Sequence, residues 1–221
     1  MKNIIFIAPP AAGKGTQSTL LENKYDYKHL STGDLLRAEI KTGSDLGKEI
    51  NEIISKGEFV SDELITKLLK NELAKIKHQK FILDGYPRNI AQAETLTSIF
   101  TELGIDNYTV IYLDLDADTA MKRALGRVVC SNCGTSYNTY FQNLMPKKNG
   151  ICDKCQGELS QRSDDNEKTF MTRFDKFVEL TNPLLDYYDK QGVLEKVDSK
   201  MDTEDIFKNI ENILGSDDVD N

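Results

Sequence analysis

No apolar run in this 221-residue chain approaches the roughly 18 residues that a membrane-spanning helix needs. The amino terminus, MKNIIFIAPP, holds a five-residue apolar stretch that Pro9 ends, short of the ~7 to 15 residues of a secretory signal core. Together these absences lead to the expectation of a cytoplasmic protein with no membrane partner. An excess of basic charge is missing too: 28 Lys and Arg stand against 36 Asp and Glu, a formal net charge of −8. That field repels nucleic acid at long range, so no nucleic-acid partner is expected, and any phosphorylated ligand has to be held by a local cluster of cations. Histidine is scarce: His29 and His78 stand in no catalytic motif and read as a strand-edge and a surface residue. No internal repeat, exposed apolar heptad or long edge strand is evident, which makes a monomer the default.

The rest is an ordinary globular composition, 39% apolar and 29% charged, long enough for one sizeable α/β core with a small appended unit. Apolar, β-rich runs recur at 3–8, 28–31, 80–84, 108–115 and 193–198. The first, third and fourth are continuously apolar rather than alternating, as in strands buried on both faces of a parallel sheet. Helical patterns occupy Gly13 to Tyr25, Gly33 to Lys41, Leu46 to Ser55, Asp62 to Lys77, Ile90 to Leu103, Asp118 to Arg127, Glu167 to Asp189 and Thr203 to Leu214. Ser61 before DELITKLLKNEL is a capped amphipathic start. The fold class predicted is therefore α/β, a three-layer sandwich with a five-stranded parallel sheet.

Two segments break the strand-helix alternation: an all-helical stretch from Thr32 to Val60 and a Gly-, Asn- and Cys-rich excursion from Val128 to Asp165. Insertions at one end of a sheet are where binding flaps come from. The division expected is a core of 1–31, 61–127 and 166–214, a helical insertion at 32–60, a second insertion at 128–165, and a disordered acidic tail at 215–221.

At residues 4–16, IIFIAPPAAGKGT runs from a strand through a small-residue loop into a helix. Exposed backbone N–H groups and the positive end of the helix dipole there favour a polyanion, Gly13 and Gly15 permit close approach, and Lys14 adds a full charge. The match to the general phosphate-binding loop is incomplete, because Ala8 replaces the first glycine and Gly15 follows the lysine in place of Ser or Thr.

All four cysteines form two CxxC pairs, Cys130 with Cys133 and Cys152 with Cys155, 18 residues apart. This spacing suits a four-thiolate zinc site with a filled shell and a structural role. Two disulfides or chance clustering form the competing reading, and a zinc-ribbon surface for other macromolecules stays open as a second class. A segment of about 35 residues cannot build an adequate core alone, and zinc supplies folding energy in its place.

Three further blocks accompany the loop: STGDLLR at 31–37, ILDGYPRNIAQ at 82–92, and the arginines Arg123, Arg127, Arg162 and Arg173. With APPAAGKGT, in this order and spacing, they resemble the adenylate kinases, and the CxxC pairs resemble those of the long, zinc-bearing bacterial form. The resemblance runs to about Leu214. It implies reversible, Mg²⁺-dependent phosphoryl transfer between ATP and AMP, giving ADP, with a helical flap over AMP and a structural Zn²⁺ in a lid over ATP. Such chemistry needs positioning and charge neutralisation, and the acceptor phosphate, with a second pKa of about 6, needs no general base.

The resemblance also implies roles. Lys14 and the main chain of Ala11, Ala12, Gly13, Gly15 and Thr16 hold the ATP phosphates, with Arg123 and Arg127 on the donor side and Ser136, Tyr137 and Met201 near ATP. Arg37 and Arg88 clamp the AMP phosphate, Thr32 and Gln92 recognise its adenine, and Glu58, Phe59, Val60, Gly85 and Tyr86 line that pocket. Arg162 and Arg173 reach the phosphates on closure, Asp164 and Asp165 are lid-hinge acids, and Asp84 organises Mg²⁺ through water. The catalytic set is thus Lys14, Arg88, Arg123, Arg162 and Arg173. Ala8 and Ala11 depart from the family's GxPGxGKGT; an alanine at positive φ costs roughly 1 to 2 kcal/mol. A UMP/CMP kinase, a GTP-dependent AMP kinase and a nucleotide-binding zinc protein disabled at this loop remain as alternatives, and iron remains an alternative metal.

Overall fold

The computed structural model describes residues 1–55, 60–161 and 165–215, apart from the side chains of Ile54 and Ser55. Glu58, Phe59, Arg162, Asp164 and the tail from 216 onward lie outside the described residues. In chain order the elements are β1 (Asn3–Ile7), α1 (Lys14–Tyr25), β2 (Lys28–Ser31), α2 (Thr32–Thr42), α3 (Asp45–Ser55), α4 (Asp62–Ile76), β3 (Phe81–Asp84), α5 (Ile90–Leu103), β4 (Tyr108–Asp114) and α6 (Ala117–Leu125). Three short strands follow, β5 (Arg127–Cys130), β6 (Ser136–Asn138) and β7 (Leu159–Ser160), then α7 (Glu167–Lys176), α8 (Pro183–Asp189), β8 (Leu194–Asp198) and α9 (Thr203–Ile213).

Among the described residues β2, β3, β1, β4 and β8 form one parallel sheet in that order, as the continuous apolar runs predict. Successive side chains of a strand point to opposite faces, and here both faces are covered. Ile5, Ile7, Leu83 and Val110 pack with Leu69, Leu73, Leu96, Leu184 and Tyr188. Ile4, Phe6, Ile82, Ile111 and Leu113 pack with Leu21, Ala120, Ile206 and Ile210 on the other side. The register pairs Phe6 with Asp84 and Ser31 with Asp84, so the carboxyl ends of β1, β2 and β3 come level at one edge, where ligands of such sheets bind. No described helix is long and apolar enough to cross a membrane.

Side-chain caps mark the helix starts: Ser31, Ser61, Asn89, Asp116 and Asn166 each accept from an N–H of the first turn of α2, α4, α5, α6 and α7. The structure corrects two predicted boundaries. Arg127 is not helical: Gly126 closes α6, and the β-branched Val128 and Val129 draw Arg127 into β5. The single helix expected over Glu167 to Asp189 is broken by a π turn at Phe177–Thr181, with Asn182 N–H bonded to Phe177 O at 2.8 Å, because Pro183 lacks an N–H and crowds the carbonyl four residues before it. Within the cysteine-rich segment, β6, β5 and β7 make an antiparallel sheet that composition alone did not reveal.

Candidate functional site

The loop after β1 gathers the chemistry. Gly13 at φ 97° turns the chain into α1, whose first turn carries no acidic residue and no side-chain cap, leaving its N–H groups to an anion. Lys14 lies back along the loop, with Nζ 3.4 Å from Ala8 O and 3.8 Å from Asp84 Oδ1 at the end of β3. Its ammonium is pushed below the usual lysine range by burial, against the pull of Asp84 and with the repulsion of Arg88 and Arg127. Burial raises the Asp84 carboxyl, but Lys14, His29 and Arg88 outweigh it and hold the group ionised below its ordinary value. Three cationic groups, Lys14, His29 and Arg88, thus share one carboxylate, a field that calls for further negative charge.

Ala8 keeps a negative φ and is buried at 8% exposure, so its substitution for glycine carries no backbone strain. Ala11 differs: its φ is 62°, the left-handed region that glycine favours. Relief of that strain by Ala11→Gly, partly offset by the added freedom of the unfolded chain, is expected to raise stability by up to about 1 kcal/mol. A denaturation midpoint for the two proteins measures it. Ala11 also lines a cleft with Pro10, Ala124, Arg127, Asp165, Phe170 and Arg173.

Arg127 Nε donates to Asp165 Oδ2 at 2.8 Å and its Nη2 pairs with Oδ1, a bidentate clamp joining the start of β5 to the segment before α7. Arg123 is connected to the loop through a residue that the sequence did not flag. Its Nη1 donates to Ser199 Oγ at 3.4 Å, and that fully buried hydroxyl donates to Ala12 O at 2.5 Å. The Arg123 guanidinium also lies 5.8 Å from the centre of the Phe141 ring. Met201 sits half-buried in the turn after β8, two residues beyond Ser199.

A second group of polar side chains surrounds Gly85. Thr32 Oγ1 and Arg88 Nε both donate to Gly85 O, at 3.2 and 2.8 Å. Gly85 has φ 84°, and a Cβ there would come 2.7 Å from Thr32 Oγ1, so only glycine fits. Arg88 is solvent-accessible yet ringed by protein: loss of surrounding water, the attraction of Asp84 and the repulsion of Arg173 all act on it. Tyr86 is buried with its hydroxyl 2.9 Å from that of Thr66, Val60 is buried, and Gln92 is 4% exposed. Thr32, Leu35, Leu36, Ile65 and Leu68 line a small apolar cleft beside this group. Arg37 stands apart, paired with Asp34 at 2.6 Å on the exposed side of α2.

His29 is the other residue that sequence reasoning missed. Its Nε2 lies 3.4 Å from Asp84 Oδ2, an ion-pair contact that arises from the pairing of β2 beside β3, which no sequence signal gave. Burial disfavours its charge, but the carboxylates of Asp84, Glu22 and Asp34 outweigh this and raise its pKa above 6.5. The stability it contributes is therefore full below 6.5 and lost as pH rises through the folded value. His29→Gln should lower the melting temperature more at pH 6 than at pH 8.

The four cysteine sulfurs lie within 4.8 Å of one another. Cys130 and Cys155 are 3.4 Å apart and Cys133 and Cys152 3.6 Å, far longer than a disulfide and close to the ~3.8 Å edge of a tetrahedron with zinc–sulfur bonds of ~2.3 Å. The thiols divide in acidity. Thr135 pulls Cys133 down to about 6, whereas Cys155, though favoured by the Gly157 N–H, is pushed up to about 11 by Cys133 and Cys130. Four thiolates in this space need a cation, so the residues fit zinc. The Tyr137 hydroxyl faces this cluster, 3.5 Å from Cys152 Sγ and accepting from Asp153 N–H at 2.8 Å, while Ser136 is exposed on β6.

The family model described as adenylate kinase matches residues 6–193. The chain is 42% identical over 214 residues to an adenylate kinase of Geobacillus sp. (strain WCH70), covering 96% of this chain and 98% of the relative. It is 42% identical over 214 residues to that of Bacillus subtilis (strain 168), with 96% and 98% covered. To the adenylate kinase of Archaeoglobus fulgidus it is 43% identical over 213 residues, with 96% and 97% covered.

Proposed function

The chain belongs to the adenylate kinase family, a nucleoside monophosphate kinase that interconverts ATP plus AMP with two ADP, and on that footing we propose how its own residues divide the work. The observation that supports the division is the convergence of Lys14 and Arg88 on Asp84 at the carboxyl edge of the sheet, with Arg127 close enough to act on Lys14 and Arg173 on Arg88. Lys14 and the main chain of Ala11 to Thr16 bind the donor phosphates. Arg123 and Arg127 serve the donor side, with Ser136 and Met201 toward its base. Arg88 and Arg173 hold the acceptor phosphate, and Arg37 joins them by leaving Asp34. Arg162 reaches the transferring group from the second insertion.

Thr32 and Gln92 read the acceptor base, with Glu58, Phe59, Val60, Gly85 and Tyr86 around it. The residues fit Mg²⁺, which accompanies ATP in this family: Asp84 is an ionised carboxylate beside the phosphate loop, and with Gly15 in place of a hydroxyl ligand it would hold the ion through water. Bound there, the ion neutralises charge on the phosphates. Segments 32–60 and 128–165 close over acceptor and donor from the core of 1–31, 61–127 and 166–214. Closure excludes water, which otherwise competes with AMP as acceptor, and strengthens each arginine contact; the lid of adenylate kinase is a standard example of this device. Zn²⁺ on Cys130, Cys133, Cys152 and Cys155 keeps the second segment a rigid body. The protein acts as a cytoplasmic monomer on ATP, AMP and ADP, in a compartment where thiols stay reduced.

Incubation with Mg-ATP or Mg-GTP and each of AMP, UMP and CMP, followed by resolution of the products, tests this reading. ADP formation from both partners with AMP and ATP is the expected result. Nucleotide hydrolysis without a diphosphate from the acceptor would overturn it.

A further inference from the structure

Gln92 carries two kinds of hydrogen-bonding group on one carboxamide, and turning the amide over exchanges them. In the structure both ends are engaged by partners that can act in only one sense. Arg88 N–H, which can only donate, meets Gln92 Oε1 at 2.7 Å. Asp62 Oδ1, which can only accept when ionised, takes the Gln92 Nε2–H at 2.7 Å. The turned amide would set N–H against N–H and oxygen against carboxylate, so one orientation alone is satisfied.

Asp62 is itself fixed. It opens α4 directly after the Ser61 cap, and its Oδ2 accepts from Asn89 Nδ2 at 3.1 Å, while Asn89 Oδ1 caps α5 through Gln92 N–H at 2.8 Å. The starts of α4 and α5 are thereby joined through one carboxylate, and Gln92 sits at 4% exposure where they meet. Among the described residues these contacts leave Gln92 one Nε2–H and one Oε1 lone pair.

We propose that Asp62 determines acceptor-base specificity by holding the Gln92 carboxamide in its adenine-reading orientation. The inference rests on the reading that Gln92 faces the acceptor base. Adenine offers an amino donor at C6 beside a ring-nitrogen acceptor, and a glutamine amide matches that pair through Oε1 and Nε2–H. Hypoxanthine offers a carbonyl at C6 beside a protonated N1, the same pair in reversed order. With phosphate held by Arg88 the base cannot turn to compensate, so only a turned amide accommodates it. The Asp62 carboxylate and the Arg88 N–H forbid that turn. Asp62 acts through Gln92 and is a positioning residue.

The test compares kcat/KM for AMP and for IMP, with Mg-ATP as donor, in the full-length zinc-loaded protein. Asparagine is isosteric at position 62 but presents either an oxygen or an N–H. Asp62→Asn should therefore lower the AMP-to-IMP preference about tenfold, mainly by a gain with IMP, the Arg88 N–H still opposing the turned amide. Asp62→Ser should move the ratio in the same direction and serves if the first variant is unstable. A proportional loss with both nucleotides would show a merely structural role and overturn the proposal. Gln92→Leu separates the two levels. If it leaves AMP turnover unchanged, Gln92 does not read the base and the site assignment fails. If it impairs AMP while Asp62→Asn leaves the ratio unmoved, the assignment stands and the role of Asp62 is refuted.

Discussion

Lys14→Met is expected to lower kcat/KM for phosphoryl transfer on the order of 10³-fold while leaving the melting temperature unchanged or raised. The two halves of this expectation have one cause. Within the cleft the Lys14 ammonium is largely buried, its side chain 20% exposed, and it lies among Arg88 and Arg127 with Asp84 as its ion-pair partner. Its depressed pKa means that the folded protein holds the charge at a cost. The phosphates reverse that balance, since they bring the negative charge that the cluster lacks. Methionine keeps the length of the stem and removes the charge, and Asp84 retains His29 and Arg88 as partners. Stability is spared and transition-state charge goes unneutralised, as in other sites that give up stability for function. Steady-state kinetics with ATP and AMP, beside thermal melts without nucleotide, measure both. A rise in KM for ATP with kcat intact would instead limit Lys14 to ground-state binding.

The legible parts of this protein are those in which local chemistry and tertiary need coincide. NIIFI and YTVIYLD read as doubly buried strands because both faces of the sheet are covered, and that is what the structure shows. The strand-to-helix turn with Lys14 between two glycines was readable from its spacing, and the structure sets Lys14 at the start of α1 beside Asp84. The cysteine pairs were readable because tetrahedral thiolate coordination imposes a spacing. Ser199 and Asp62 were not. A serine in a loop and an aspartate in a first helical turn are common for ordinary reasons, and their roles arise only from contacts with Ala12, Arg123 and Gln92 across long sequence separations. His29 lies between: its strand was predicted, but its pairing with Asp84 depends on the register between β2 and β3. The π turn before Pro183 shows the converse limit. Helical periodicity through Phe170, Phe174 and Phe177 continues into a segment where the backbone must absorb an extra residue, and there Thr181 Oγ1 reaches Arg88 O at 2.9 Å.

Removal of the zinc proposed at the four cysteines should have the largest effect on stability. The segment around the cysteines has little else to hold it: its apolar cluster comprises Cys130, Cys152 and Leu159, with Val128, Tyr137 and Cys155 packed beside them, and β7 is two residues long. Zinc binding to such small units is worth roughly 10 to 16 kcal/mol in isolated peptides, and that free energy is folding free energy. Chelation, or Cys152→Ser at a fully buried ligand position, is expected to lower the first melting transition by roughly 10 °C or more. Amide exchange locates the change. Protection should be lost across residues 128–161, including the β5–β6 and β5–β7 ladders, while β1, β3 and β4, sealed between two apolar layers, keep theirs. Activity should fall as well, because Arg127 opens β5 and its clamp to Asp165 depends on that strand remaining formed. Restoring zinc should recover protection and turnover together in the chelated wild type but not in Cys152→Ser. Unchanged melting and exchange after complete metal removal would show that the thiols and their small apolar cluster hold the segment without an ion.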